Sequence, residues 1–358
     1  MNVATGVRAG AASRTSLRAC RRVVSTALWG LALGLLPACE RGEPARAPQS
    51  RQGFVAFIGA SQDDPLWPTL SATADRYREG LGHMGLEIRA PKIRSANAQA
   101  DLIRALHSPQ MRGLCIEPAD QEIMRDVLCE LQVKGVAVVT MMKPIECEDP
   151  LPFAGLDEMA VGQALADAVV TTLDGKGTIA VLDGDEELPA LRDRGIGFRE
   201  RMRQWPAVDI LREMNCDGKP FVAERMIRDY MERFPRLDAW VALDDWPLRE
   251  FPGEPRLLPK TCQLVTTNPY PCYWPLLYDG TCAALVGSEY ERVAQEALHM
   301  CQIAIQGEPL SLDHYLAPPV TVTVRNLNWY RRNWFKHSAH VADATDAETA
   351  ETSDDHHP

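Results

Sequence analysis

The sequence predicts an α/β protein made of two doubly wound halves, each a parallel sheet covered by helices on both faces. From residue 53 onward, short apolar runs alternate with stretches that carry apolar residues at helical spacing. This alternation is typical of parallel sheets, because two parallel strands are usually joined by a helix. A length of 358 residues accommodates two domains, and a hydrophobic content of 46% with 24% charge indicates globular cores.

The first half contains four strand–helix units before residue 143. Strands are predicted at "FVAFIGA", "LEIRAP", "MRGLCIEP" and "VAVVTM". Helices are predicted at "DPLWPTLSATADRYREGLGHMG", "ANAQADLIRALHSP" and "DQEIMRDVLCELQVKG". Asp64 is expected to cap the first helix, with Pro65 at its first position.

The same alternation repeats through a second half of similar size. "PFAGLD" leads into a helix at "EMAVGQALADAVVTTLDG". Further helices are predicted at "LRDRGIGFRERMRQWP", "FVAERMIRDYMERFP" and "ERVAQEALHMCQIAIQG". Further strands are predicted at "GTIAVLDG", "DILREMN", "LDAWVALDD", "CQLVTTN", "TCAALVGS" and "VTVTVRNL".

The first 38 residues have the composition of an export signal. They carry five arginines and no acidic residue, and an apolar stretch at 23–36 precedes small residues. The stretch "LPAC", which ends at Cys39, resembles a bacterial lipobox, in which the cysteine is lipidated and becomes the first mature residue. Residues 39–52 would then be a flexible tether that holds a soluble body at a membrane surface. The alternative is that Cys39 lies by chance beside an ordinary cleavage site.

The body behind the signal is strongly acidic. Without the first 38 residues, 33 basic groups face 49 acidic groups, a net charge of −16. Because phosphate binding needs a positive field, we do not expect nucleic acid to be a partner. Keeping the protein soluble is the simpler role of this charge.

Eight cysteines follow Cys39, and their spacing does not indicate a metal site. They contain no C-x-x-C pair and no spaced Cys/His set, so we expect no bound zinc. An even number permits disulfides in an oxidising compartment. Cys262 and Cys282 each begin a predicted strand and are the first candidates for a pair, with buried free thiols as the alternative.

Two segments at the C-terminus differ from the folded body. Residues 343–358 are acidic and poor in apolar residues, and we expect them to be disordered. Before them, "NWYRRNWFKHSAH" mixes aromatic and cationic residues. This segment either caps a lobe, which we favour, or contacts a partner.

The order of these elements resembles the periplasmic sugar-binding proteins of the ribose-binding type. The stretches that carry the resemblance are "FIGASQDDPLWPTLSATADRYREGLGHMG", "IEPADQEIMRDVLCELQVKGVAVVTMMKP", "LDGDEELPALRDRGIGFRERM" and "LDAWVALDD". Together they span roughly residues 53–325. The resemblance implies two lobes joined by three crossovers, with the ligand held in the cleft between them. Lac-repressor-like regulators share this fold, but an export signal stands where their helix-turn-helix would be.

The resemblance also implies the extents of the two lobes. The crossovers are expected near 155–158, 288–290 and 317–320. The N-terminal lobe would then comprise residues 53–156 and 289–318. The C-terminal lobe would comprise residues 157–288 and 319–335.

A sugar site needs aromatic faces for the ring and polar groups for its hydroxyls, because each unpaired buried hydroxyl costs about 1–3 kcal/mol. In the family, an Asn-Pro followed by two aromatic residues faces the ligand after the first strand. The matching residues here are Asp64, Pro65, Leu66 and Trp67. Trp67 keeps an aromatic face and Leu66 departs from the pattern. The alternative is that Asp64 and Pro65 only start a helix and that Trp67 belongs to the core.

After "VAVVT" the family often carries an Asp-Arg pair that clamps sugar hydroxyls. This chain has Met142 and Lys143 instead. The missing carboxylate argues against a simple pentose or hexose, and Lys143 keeps a cation without the planar fork of arginine. The alternative for Lys143 is a solvated surface position.

In the second half, the resemblance implies a ligand-binding arginine at Arg192, with Arg194 as the neighbouring alternative. Asp244 matches a residue that faces the cleft, whereas Asp245 beside it is expected to be structural. Asn268 stands where the family commonly has an aspartate.

Ser288 replaces a longer amide side chain near the second crossover. All the implied positions lie at strand ends or hinges, where open α/β sheets bind ligands. The carboxylates between Asp183 and Glu187 either favour a cationic ligand or form an exposed acidic loop, which we favour.

The sequence therefore predicts a monomeric, lipid-anchored binding protein in the periplasm or cell envelope. It would close its lobes around a small polar ligand, such as a sugar, and present the closed form to a membrane partner. That partner would be the permease of an ABC importer or a sensor kinase. The motifs G-x-S-x-G and H-E-x-x-H and a phosphate-binding loop are absent from the sequence, so we expect no enzyme and no cofactor. A scaffold that has lost its ligand is the remaining alternative.

Overall fold

A computed structural model describes residues 53–185, 187–249 and 257–336, all within the compact unit Gln49–Pro358. The predicted signal sequence, Cys39 with its tether and the tail 343–358 lie outside these residues. The strands, in chain order, are β1 (Phe54–Ile58), β2 (Gly85–Arg89), β3 (Met111–Ile116), β4 (Ala137–Met141), β5 (Phe153–Leu156), β6 (Gly177–Asp183), β7 (Val208–Asn215), β8 (Ala239–Ala242), β9 (Gln263–Thr267), β10 (Cys282–Ser288), β11 (His314–Ala317) and β12 (Pro319–Val322).

Helices connect most of these strands. In chain order they are α1 (Trp67–Tyr77), α2 (Ala96–Leu106), α3 (Gln121–Val133), α4 (Glu158–Thr172), α5 (Pro189–Met202), α6 (Pro220–Arg233), α7 (Trp246–Arg249), α8 (Trp274–Tyr278), α9 (Tyr290–Gln306) and α10 (Leu327–Lys336). Over the described residues, no helix is long and apolar enough to cross a bilayer.

The strands form two six-stranded sheets, which define two lobes. The sheet of the first lobe has the order β11-β5-β4-β3-β1-β2, and all its neighbouring strands are parallel. The sheet of the second lobe has the order β12-β10-β9-β8-β6-β7, and only β12 runs antiparallel to its neighbour. The predicted fold class is therefore confirmed.

The chain passes between the two sheets three times. It leaves the first sheet after β5 at Asp157, returns after β10 at Glu289, and leaves again between β11 and β12 at Pro318. Because all three passages lie at strand ends, they bring the ends of both sheets to the hinge.

The strands at the centre of each sheet are buried on both faces. In β1, Val55 to Ile58 are 0% exposed, as expected for a parallel strand with helices on both sides. This two-sided burial explains why the strands have continuous apolar sequences rather than alternating ones.

Three local expectations need correction. The first helix begins at Trp67 rather than Pro65, because Asp64 instead accepts the backbone N–H of Leu66 in a turn. β11 and α10 were not predicted. The described disulfide joins Cys129 in α3 to Cys147 in the loop after β4, whereas Cys262 and Cys282, the expected pair, are buried and not joined to each other by a disulfide.

Candidate functional site

Four charged residues of the first lobe lie together beyond the carboxyl ends of its strands. Asp64 follows β1, Arg94 follows β2, Glu117 follows β3 and Lys143 follows β4. The guanidinium of Arg94 hydrogen-bonds to Asp64, and its Nη2 lies 3.5 Å from Oε1 of Glu117. This is the edge at which open α/β sheets bind ligands.

Glu117 is buried, with 5% of its surface exposed. Burial, together with the nearby Asp64 carboxylate, raises the pKa of Glu117 to about 7, against the opposing charges of Arg94 and Lys143. Burial and the nearby Arg94 lower the pKa of Lys143. The first-lobe edge therefore holds a carboxyl group that titrates near neutral pH.

Gln99 holds the backbone of this edge in place. Its Nε2 donates to the carbonyl oxygens of Gly59 at 2.9 Å and Glu117 at 2.8 Å. Its Oε1 accepts the N–H of Ala119 at 2.9 Å. The buried amide thus fixes the loops after β1 and β3, on which Asp64 and Glu117 are carried.

Trp67 lies partly buried at the start of α1. Its ring packs on Gly59, where an added Cβ would lie 2.3 Å from the indole, and stacks near Phe57 with ring centroids 6.5 Å apart. Leu66 is 2% exposed and belongs to the core. Of the two positions implied by the resemblance, Trp67 keeps a partly exposed aromatic ring, and Leu66 packs in the interior.

Met142 and Asn268 occupy matching positions in the two lobes. Met142 follows β4 with φ +62° and donates its N–H to Ala154 of β5 at 2.9 Å. Asn268 follows β9 with φ +60° and donates its N–H to Val286 of β10 at 2.9 Å. Non-glycine residues rarely adopt such angles, and they are concentrated at functional sites. The loops after the two strands are therefore built by the same local geometry.

Asp244 accepts hydrogen bonds from four side chains of the second lobe. Its Oδ1 accepts from Thr267 Oγ1 at 2.8 Å, Asn268 Nδ2 at 3.1 Å and Arg194 Nη1 at 3.4 Å, and its Oδ2 accepts from Arg249 at 2.9 Å. Burial opposes its ionisation, but Arg249 and Arg194 keep the pKa of Asp244 below its ordinary value. Asp244 is therefore a fixed carboxylate at the end of β8.

The arginine that reaches this cluster is Arg194, whereas Arg192, the position that the resemblance implied, does not reach it. Arg192 is exposed on the surface of α5 beside Asp193. Arg194 is 7% exposed and hydrogen-bonds to Glu158 at 2.8 Å and to the carbonyl of Leu243 at 2.6 Å.

Two glycines bring Arg194 to this place. A Cβ on Gly162 of α4 would lie 2.0 Å from the carbonyl oxygen of Arg194, and one on Gly197 of α5 would lie 2.1 Å from that of Met159. The two helices therefore touch backbone to backbone, which sets Arg194 against Glu158 at the start of α4.

Asp245 and Ser288 have structural partners. Asp245 is 2% exposed and accepts from Arg249 at 2.5 Å and Tyr273 at 3.1 Å. Burial and the adjacent Asp244 raise the pKa of Asp245 to about 6. Ser288 donates to the carbonyl of Pro318 at 2.7 Å, which joins the second passage to the third.

Asp183, at the end of β6, also has structural partners. It accepts from Arg199 at 2.5 Å and from the N–H of Gly184 at 2.8 Å. Among the described carboxylates between Asp183 and Glu187, Asp183 is therefore engaged in an ion pair with Arg199.

Tyr270 lies near the edges of both lobes. It follows β9, and burial, then Tyr290 and the carboxylates of Asp64, Asp245 and Glu117, raise its pKa well above the ordinary value. These carboxylates come from both lobes, so the phenol lies where the two edges meet. The sequence did not identify Arg94, Glu117, Glu158 or Tyr270 as site residues. Glu117 directly follows β3, and Glu158 is the first residue of α4. Both positions lie at a sheet edge, and this placement could have identified the two residues from the sequence.

The fold and this site define a class: a two-lobed α/β protein with polar side chains gathered where the two sheet edges meet. Residues 55–309 match the profile of a family described as "Periplasmic binding protein domain". The match covers well over half of the chain, and the chain belongs to this family. The described residues contain no group of three or more His, Cys, Asp or Glu side chains placed to hold a metal ion.

Solved structures show the same fold at low sequence identity. The myo-inositol-binding protein of Caulobacter, bound to myo-inositol, is 19% identical with a TM-score of 0.62, and the match covers 79% of this chain and 97% of that one. An ABC transporter periplasmic solute-binding protein from Actinobacillus succinogenes 130z, with bound D-allose, is 12% identical with a TM-score of 0.65 and coverage of 76% and 98%.

A curated relative is similar over a shorter stretch. The xylitol-binding protein of Mycolicibacterium smegmatis is 21% identical over 150 residues, which is 42% of this chain. The match spans 43% of the relative's own length.

Proposed function

We propose that this protein is an extracytoplasmic solute-binding protein that captures a small polar ligand, a sugar or sugar derivative, between its lobes. The observation that carries the proposal is that a polar sheet edge of one lobe faces a polar sheet edge of the other. The first-lobe edge carries Asp64, Arg94, Glu117 and Lys143, and the second-lobe edge carries Asp244 and Asn268. Carboxylates, guanidiniums and an amide at strand ends are the partners that hydroxyl groups require. Trp67 would supply an aromatic face beside them.

The similar proteins support this ligand class. Myo-inositol, D-allose and xylitol, named with the three relatives, are all small polyhydroxylated molecules. The role is binding rather than catalysis, as the description of the matching family as a periplasmic binding protein domain indicates. Ligand binding would close the two lobes, and a membrane partner would recognise the closed conformation.

The membrane partner would be the permease of an ABC importer. The similarity to a protein described as part of an ABC transporter supports this choice. A sensor kinase is the alternative, since it would recognise the same closed form. Reconstitution with a candidate permease or a candidate kinase distinguishes the two partners. Ligand-dependent stimulation of the permease's ATPase activity would support import. Ligand-dependent kinase activity without ATPase stimulation would contradict import.

The proposed location is the periplasmic side of a bacterial membrane, through a lipid on Cys39. The "LPAC" sequence and the following polar residues support this anchor. A Cys39→Ser variant should move from the membrane to the soluble periplasmic fraction. Retention of that variant in the membrane fraction would contradict the anchor.

The ligand is tested by thermal unfolding of the protein against sugars, polyols, amino sugars and nucleosides. A ligand at a hundred times its Kd stabilises the native state by about 2.7 kcal/mol, which raises Tm measurably. Asn268→Gly should abolish this rise, because it removes the amide while glycine accepts the φ of +60°.

Asp174→Gly is the matched control, because Asp174 also has a positive φ, of 50°, in the turn after α4. It should keep the ligand-induced rise. No rise with any compound would contradict small-molecule capture and favour a scaffold that has lost its ligand.

A further inference from the structure

Two cationic side chains of the first-lobe edge keep N–H groups that no described residue accepts. Arg94 uses only Nη2, which bonds to Asp64 and lies near Glu117, and its side chain is 42% exposed. Lys143 is partly buried, and its ammonium has neither an ion pair nor a hydrogen bond within the described residues. The first-lobe edge therefore offers a ligand positively charged hydrogen-bond donors.

The carboxylates around these two cations are already engaged by the protein. Asp64 accepts from Arg94 and from a backbone N–H of its own turn at 2.9 Å, and its side chain is 11% exposed. Asp120 accepts a backbone N–H of α3 at 2.8 Å. Glu117 is buried beside Arg94. What this edge leaves for a ligand is therefore mainly donors, and a donor requires an acceptor on the ligand.

The second-lobe edge does not supply the missing acceptors. Asp244 already accepts from four side chains, and Oδ1 of Asn268 accepts from Tyr290 at 3.4 Å. Arg194 uses Nε, Nη1 and Nη2, on Glu158, on Asp244 and on a backbone carbonyl. Because the charge of Arg194 is paired within the protein, an acceptor group of the ligand belongs at the first lobe.

The loop that carries Lys143 is held against α3. Gln121 of α3 donates to the carbonyl of Pro144 at 2.8 Å, and the disulfide between Cys129 and Cys147 joins the same loop to the same helix. The backbone beside Lys143 is therefore fixed, and the ammonium is carried to the sheet edge rather than on a loose surface loop.

Arg94 is the charged group that acts most strongly on Lys143, and the two have the same sign. Burial and then Arg94 lower the pKa of Lys143, against the individually smaller effects of three nearby carboxylates. A partly buried charge without a partner is unfavourable, and so is a second cation beside it. A bound anion would offset both costs.

We propose that the ligand is a sugar acid, whose carboxylate is bound by Lys143 and Arg94 at the first-lobe edge. The inference rests on the proposed function and narrows its ligand class. Carboxylate oxygens only accept, and their hydrogen bonds to charged donors are about twice as strong as those between neutral groups. A hydroxyl group both donates and accepts, so the free donors of this edge match only half of its capacity.

The test is calorimetric titration of the purified protein with three acids and their neutral counterparts. The pairs are D-glucuronate with D-glucose, D-galacturonate with D-galactose, and D-gluconate with sorbitol, and each differs by a carboxylate in place of a hydroxymethyl group. We expect an acid to bind at least about tenfold more tightly than its counterpart. Lys143→Met should weaken that acid about ten- to a hundredfold, the effect of one lost hydrogen bond between charged groups, and leave the neutral compound unchanged.

Two further variants separate ligand binding from other roles of the lysine. Lys143→Arg keeps the charge and should hold the Kd of the acid within about threefold of the wild type. Lys176→Met is the matched control, because Lys176 is an exposed lysine just before β6, at the opposite end of the strands. It removes the same charge and should leave the Kd unchanged. Without ligand, Lys143→Met should melt at or above the wild-type Tm, whereas loss of a structural lysine would lower it.

The outcomes also distinguish this inference from the proposed function. Tighter binding of neutral sugars than of every acid would overturn the sugar acid and leave the capture of a sugar intact. Binding of none of these compounds would overturn both. Acid binding that Lys143→Met does not weaken would overturn the assignment of the carboxylate to this edge. Tighter binding of N-acetyl-D-glucosamine than of any acid would assign the free donors to a neutral carbonyl instead.

Discussion

The two sheet edges of this protein differ in how their buried carboxylates are paired with cations. In the first lobe, the cation between Asp64 and Glu117 is Arg94, whose side chain is 42% exposed. In the second lobe, Arg194 is almost fully buried and holds Glu158 and Asp244 from one side chain. The second edge is thus held by hydrogen bonds around a buried arginine, whereas the cation of the first edge is partly exposed to water. A ligand between them would meet one rigid surface and one adaptable surface.

The largest expected effect comes from removing the central cation of each edge. Arg194→Met removes the arginine paired with the buried Glu158 and one of the two arginines paired with Asp244, and it should lower the free energy of unfolding by about 3–5 kcal/mol. Arg94→Met should cost about 1 kcal/mol or less, because Arg94 is exposed to water and Glu117 is able to take up a proton. Urea unfolding at pH 7 measures both.

Arg192→Met is the control for that pair, since Arg192 lies exposed on the same helix as Arg194. It should leave the unfolding midpoint unchanged. Equal losses in Arg194→Met and Arg94→Met would show that the two edges are not different in the way described.

A smaller effect is expected from single threonine hydroxyls at the two edges. Thr267→Val removes a hydrogen bond to the charged Asp244 and should cost about 1.5–3 kcal/mol. Thr140→Val removes a bond of 3.3 Å to the neutral carbonyl of Pro152 and should cost about 1 kcal/mol or less. A larger loss in Thr140→Val, measured by thermal or urea unfolding, would contradict the pre-organisation of the second edge.

The smallest effect is a pH dependence assigned to Glu117. Because the pKa of Glu117 is about 7 in the folded protein and 4.5 ordinarily, the native state binds the proton more tightly than the unfolded chain does. The stabilisation from the protonated group is complete below about pH 4.5 and is lost as pH rises to about 7. In Glu117→Gln this pH-dependent loss should disappear.

The measurement is the free energy of unfolding of wild type and Glu117→Gln across this pH range. Asp245→Asn serves as the counterpart in the second lobe, where the corresponding loss runs from about pH 3.8 to about 6. Parallel curves for wild type and Glu117→Gln would show that Glu117 does not titrate in this window.

Most of the fold could be predicted because its central strands are buried on both faces. Two-sided burial produces apolar runs such as "VAVVTM", which the sequence shows directly. β11 is a strand of four residues at the border of its sheet, and its sequence, "HYLA", has no such run. α10 carries aromatic and cationic residues whose burial depends on partners from distant parts of the chain, so its sequence alone did not identify it.

The site residues also divide into those that the local sequence could identify and those that depend on tertiary packing. Lys143, Asp244 and Asn268 directly follow strands, and the structure places them at the sheet edges as their positions indicated. The choice between Arg192 and Arg194 could have been made from helical spacing. Leu191, Arg194, Gly195 and Phe198 lie on one buried face of α5, and Arg192 lies off it. Arg94 and Tyr270 gave no local signal, because their proximity to the acids arises only from tertiary packing.

The position of Trp334 has a consequence for the order in which the molecule is completed. Its ring lies within 6.2–6.3 Å of the rings of Tyr270, Trp274 and Tyr290, which precede it by 44 to 64 residues. A chain still being synthesised has both sheets before it has this ring. The ring contacts of Trp334 are therefore the last part of the described structure to form, and a chain ended before α10 would have both sheets but lack these contacts.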